Sequence, residues 1–154
     1  MKCSVCGGST TKVKEVKKAK YRDEIVEVAT ELFRCDSCLE GFVTPEQMRA
    51  HARAVKNKVR KIHGLLPPEG IVAIRDRLGL TQSALEDALG TGPKVVVRWE
   101  SGKVIQSRGH DNMLRVLDRD PSVLKSLRII QKLRAKEQEN SSEVRSEHQA
   151  AAGS

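Results

Sequence analysis

Aromatic side chains are nearly missing: Tyr21, Phe33, Phe42 and Trp99 are the whole complement of a 154-residue chain. Four rings scattered along the sequence make no stacking platform, which argues against a sheet that binds unpaired bases. Long apolar runs are missing too, and no stretch approaches the roughly 20 apolar residues that span a bilayer. The N-terminus offers Lys2 but no apolar signal core, so the sequence predicts a cytoplasmic location and no membrane partner. No nucleophile–base set, phosphate-binding glycine loop or carboxylate cluster is present. The four histidines, His51, His63, His110 and His148, lie far apart, so no enzyme is expected.

Cysteine is scarce but ordered. The chain opens MKCSVCGG, and FRCDSCLEG repeats the spacing, so Cys3, Cys6, Cys35 and Cys38 form two Cys-x-x-Cys pairs with no spare thiol. In a reducing compartment such pairs turn toward metal or redox chemistry rather than stable disulfides. Two intervening residues let two sulfurs approach one ion from a tight turn, and Gly7 supplies backbone freedom where the chain bends. Two such knuckles complete a closed tetrahedral thiolate site, for which Zn2+ is the expected structural ion. Iron remains open, as does a redox pair, although the βαβ surroundings of a redox pair are missing. The 28 residues between the knuckles exceed the compact zinc spacing of about 15–20 and leave room for a strand hairpin. His51 and His63 are expected on a helix surface rather than as ligands.

What is plentiful is positive charge: 28 Lys and Arg against 20 Asp and Glu, a net +8. Residues 1–64 carry 14 cations against 8 acids, residues 65–130 carry 10 against 8, and the remainder 4 against 4. A polyanion, nucleic acid first, is the expected partner. The pattern divides likewise. Residues 1–44 are strand-like, with β-branched alternation through EIVEVATELF from Glu24. A basic helix then follows from Pro45, capped by Thr44, with Met48, Ala52, Val55, Val59 and Ile62 as its stripe and Gly64 as its stop. LLPPEG, residues 65–70, reads as a linker. Short helical periods resume at 69–78, 81–89, 93–101, 110–118 and 121–136, and a polar tail over 131–154 is expected to be disordered. The fold class is therefore α+β: a β-rich zinc-binding domain with a helix over 1–64, joined to an all-α domain over 65–130.

The second domain reads as a helix-turn-helix. Ile71, Ile74 and Leu78 form one stripe. Thr81 caps a helix with Ala84, Leu85 and Ala88 inward, Gly90-Thr91-Gly92 turns, and Pro93 starts the next helix. There Val96 and Trp99 pack inward, leaving Lys94, Val97, Arg98 and Ser101 on the opposite face. An exposed Lys and Arg four residues apart suit guanine readout in the major groove, and Val97 suits a thymine methyl. Gln82, near a helix N-terminus, is placed for a phosphate.

The stretch LGLTQSALEDALG…VVVRWESGK resembles the Xre-type helix-turn-helix. With MKCxVC and a second Cys-x-x-Cys before it, the chain over about 1–128 resembles the MqsA family of antitoxins, a YgiT-type zinc finger followed by that motif. The resemblance implies structural zinc on the four cysteines and an N-terminal domain that sequesters a small ribonuclease toxin. It further implies a C-terminal homodimer that represses its operon at a palindromic operator in double-stranded DNA. By position, Arg98 matches a base-reading arginine, and Lys94 stands where the pattern has asparagine. Asparagine pairs with adenine whereas lysine prefers guanine, so a different operator sequence is expected. Glu86 stands where the pattern has a small residue against the turn, which predicts altered helix spacing. A transcriptional regulator of this architecture with no toxin is the alternative.

Overall fold

The structure, a computed structural model, describes residues 1–151. It has an N-terminal antiparallel sheet followed by six helices, and the chain falls into two compact units. Unit 1 comprises Met1–Pro67 with Ser101–Ile105; unit 2 comprises Pro68–Glu100 and the chain from Gln106 onward.

In unit 1, β1 (Thr10–Tyr21) and β2 (Glu24–Cys35) pair in register from Thr10 opposite Cys35 to Tyr21 opposite Glu24. The two-residue turn needs positive φ, which Arg22 supplies at 52°. A short β3 (Gly41–Phe42) adds to the far side of β2, giving the order β1-β2-β3. Along β2 the period of two is strict: Val26, Val28, Thr30 and Leu32 are buried, while Ile25, Glu27, Ala29 and Glu31 are exposed.

Helix α1 (Pro45–Ile62) opens with a reciprocal cap. The Gln47 N–H donates to Thr44 Oγ1, and the Thr44 N–H donates to Gln47 Oε1. Its inward residues are Val55 and Val59, packed with Val26 and Val28 and flanked by Ala19, Tyr21, Ala54 and Ile105. Met48 and Ile62, expected in the stripe, are 58% and 54% exposed, and Ala52 is exposed as well. The buried positions gather in the last two turns, at Val55, Val59 and Arg60, and Met48, Ala52 and Ile62 face solvent. Arg60 is buried, its Nη1 donating to Asn57 Oδ1 and its Nη2 to the carbonyl of Val104. These contacts tie Ser101–Ile105 into unit 1.

Unit 2 contains α2 (Pro68–Arg77), α3 (Gln82–Leu89), α4 (Val95–Glu100), α5 (Arg108–Arg119) and α6 (Val123–Ala151). Its core is Ile71, Ile74, Leu85, Ala88, Val96, Trp99, Leu114 and Leu117. Three boundaries differ from expectation. Pro68, read as linker, is the first residue of α2, where a missing N–H costs nothing. Pro93 does not start α4; it forms a turn with Lys94, whose φ is 63°. The polar segment from Gln131, expected to be disordered, continues α6 to Ala151. Its Lys, Arg, Glu, Gln and Ala are strong helix formers, and no Gly or Pro interrupts them. Residues 152–154 of that expected tail lie outside the described residues. Among the described residues no helix is long and apolar enough to cross a membrane.

Candidate metal centre and nucleic-acid interface

The two knuckles are built alike. At the first, the Cys3 N–H donates to the Gly8 carbonyl at 2.8 Å and the Gly7 N–H to the Cys3 carbonyl at 2.9 Å. At the second, the Cys35 N–H donates to the Glu40 carbonyl at 2.9 Å and the Leu39 N–H to the Cys35 carbonyl at 3.1 Å. Both turns need a left-handed residue, Gly7 at φ 74° and Leu39 at φ 62°. The sequence advertises the first through glycine and hides the second, because leucine there pays strain instead. The Asp36 N–H donates to the Ser9 carbonyl and joins the knuckles. Gly8 sits so close that a Cβ there would lie 2.7 Å from Ser37 Oγ and 3.3 Å from Cys35 Sγ.

The four Sγ atoms lie within 4.8 Å of one another, with Cys3–Cys38 at 3.7 Å and Cys6–Cys35 at 3.4 Å. Tetrahedral Zn–S bonds of about 2.3 Å give sulfur–sulfur edges of about 3.8 Å, so this donor set fits that ion. The N–H groups of Cys38 and Ser37 point at Cys35 Sγ and hold its thiol down to about 6. The Glu40 N–H pulls Cys38 the same way, but its hydrogen bond with Cys6 and burial outweigh this and push Cys38 up to about 12. Four cysteines thus stand in position to bind a metal ion. His51 and His63 take no part. His51 Nδ1 is 2.7 Å from Thr30 Oγ1, and His63 Nε2 is 2.9 Å from Glu24 Oε1.

In unit 2, Thr81 caps α3 and Gly90, at φ 67°, ends it. Val96 and Trp99 are fully inward, and the Trp99 ring lies 5.0 Å from that of His110. Lys94 and Arg98 are exposed and Val97 is half-buried; Ser101, which belongs to unit 1, is exposed in the turn after α4. Gln82 is half-buried at the start of α3, and its Nε2 donates to Glu100 Oε2 at 2.6 Å. Glu100 in turn receives Arg75 Nε at 2.6 Å and Nη2 at 3.3 Å, and this hydrogen-bonded pair raises the Arg75 pKa. Arg75 and Glu100 therefore fasten α2 to the end of α4, with Gln82 joining α3 to the same carboxylate.

Glu86 also has a definite place. It is buried, and its Oε1 accepts the Val96 N–H at 3.0 Å, so the residue that departs from the small-residue pattern caps the start of α4. Sequence reasoning missed Arg75, Glu100 and the capping role of Glu86. The only signal was the glutamate of Arg98-Trp99-Glu100-Ser101-Gly102, whose period points it away from solvent.

A cluster of four cysteines on a small antiparallel sheet, in position to bind a metal ion, followed by a unit of short capped helices, defines a two-unit α+β protein. Residues 1–128 match the family described as the antitoxin component of bacterial toxin-antitoxin system, MqsA. Antitoxin MqsA of Escherichia coli (strain K12) is 28% identical over 131 residues, covering 83% of this chain and 100% of that relative. The chain belongs to the MqsA antitoxin family.

Proposed function

We propose that this antitoxin holds one structural Zn2+ on Cys3, Cys6, Cys35 and Cys38, neutralises a small ribonuclease toxin through unit 1, and represses its own operon as a DNA-binding homodimer in the cytoplasm. It acts by binding, not by catalysis. Bound zinc supplies cross-linking energy to a unit whose apolar cluster is only a few valines deep. The two hydrogen-bonded knuckles hold the sulfurs in place and the Gly8 approach keeps them close.

The observation that carries the DNA reading is α4 with the turn before it: Val96 and Trp99 are buried, while Arg98 on the helix and Lys94 in the turn are exposed. In this reading α4 enters the major groove, Arg98 makes a two-point contact with guanine, Lys94 reaches the same acceptors, and Val97 meets a thymine methyl. Ser101 contacts the phosphate backbone. Gln82 holds Glu100 with one amide hydrogen and offers the other to a phosphate. A footprint on the DNA upstream of the gene tests this. Two half-sites with centres about one helical turn apart, or a multiple of it, are expected for a dimer on a palindrome. Protection of a single half-site would remove the dimer, and no protection would remove the repressor reading.

A further inference from the structure

Helix α6 runs to Ala151, whereas the family match ends at 128. Gln131 packs beside Gly90, so the inner side of its early turns faces α3. Ile129, Ile130, Leu133 and Val144 are 59%, 41%, 53% and 57% exposed. At about 100° per residue these four fall within an arc of about 100°, on the side turned away from Gln131. The charge along the helix is segregated as well. From 123 to 136 the sequence has Lys125, Arg128, Lys132, Arg134 and Lys136 and no acid; from 137 to 147 it has four glutamates and Arg145 alone.

We infer that this arc pairs antiparallel with the same arc of a second copy. The inference rests on the homodimer reading above and names an additional contact for it. A parallel pair sets basic half against basic half and acidic against acidic; an antiparallel pair sets each half against its opposite. A crossing centred near Lys136 and Glu137 brings Ile129 and Ile130 level with Val144 of the second copy. The same crossing brings Lys136 beside Glu137 and Glu139. The pairing also accounts for a polar helix persisting so far beyond its packing on α3, since isolated helical ends are marginal in water.

The test uses the full zinc-loaded chain and two variants, Arg134→Glu with Lys136→Glu, and Glu137→Lys with Glu139→Lys. Self-association is measured by sedimentation equilibrium at low salt, with helix content checked by circular dichroism. Each variant alone sets like charges against each other at the centre of the crossing, and its dimer dissociation constant should rise by about tenfold or more. An equimolar mixture should regain wild-type association, and the differences should shrink at high salt. If the wild-type chain is monomeric at every concentration and on operator DNA, the homodimer reading itself fails. If the wild type is dimeric but the variants match it, or the mixture gains nothing, the pairing is overturned and the dimer is held elsewhere. Unchanged self-association with tighter DNA binding by the Glu137→Lys, Glu139→Lys variant would assign the helix to DNA and overturn the pairing too.

Discussion

The proposed DNA contact turns on Arg98, and the start of α4 on Glu86. Arg98→Ala should lose about 1–3 kcal/mol at the operator and relax discrimination there, checked by titrating operator and scrambled duplexes at one salt concentration. Equal losses on both duplexes would place Arg98 on phosphate. Glu86→Ala removes the acceptor for the Val96 N–H in a buried setting, so urea unfolding should show a loss of about 1–2 kcal/mol. Glu100→Ala strips a largely buried guanidinium of its main partner, and a loss of about 3 kcal/mol is expected by the same measurement. An undiminished midpoint in the Glu100 variant would mean that Arg75 finds its remaining partners, Asp76 and the Leu80 carbonyl, sufficient.

The elements differ in how plainly the sequence announces them. Strand β2 is legible because it is wet on one face, so buried and exposed positions alternate without exception from Val26 to Leu32. Helix α1 was legible at its ends, where Thr44, Pro45 and Gly64 are chemical punctuation, but not along its stripe. Which apolar residue is buried depends on which face of the helix the sheet packs against, and the helix's own sequence does not contain that. The second knuckle needed the structure, because Leu39 adopts a conformation for which composition gives no cue. The start of α4 needed it too, since Lys94 holds a left-handed turn without glycine. The first knuckle offers a sharper test. Gly8→Ala forces Ser37 Oγ aside and crowds Cys35 Sγ, and should weaken zinc affinity by about tenfold in a competition titration, a loss of the size seen when support behind ligands is removed. Gly7→Ala meets open space and costs only backbone strain, about 1 kcal/mol of folding, without displacing a sulfur. Equal zinc affinities for the two variants would contradict the role given to the Gly8 approach.

At the level of the whole molecule, the chain contributes Ser101–Ile105 to unit 1 immediately after α4, through the Arg60 bond to Val104 and the packing of Ile105. Chelation of zinc should therefore raise hydrogen exchange together in β1, β2 and residues 101–105, while the α2, α3 and α5 amides stay protected. Protection of 101–105 that outlasts the sheet would place that segment outside unit 1. Thiolate ligation sets the pH dependence: protons displace the ion as pH falls, so acid should release zinc and reproduce the chelation pattern. The central claim, that a zinc-held unit neutralises a toxin while a separate face reads DNA, is tested most directly in growing cells. The gene adjoining this one would be expressed alone, with the full chain, with a Cys3→Ser, Cys35→Ser chain, and with an Arg98→Ala chain. The account predicts growth arrest by the neighbour alone, relief by the full chain and by Arg98→Ala, and no relief once the two cysteines are lost. A harmless neighbour, or relief that survives loss of the cysteines, would contradict it.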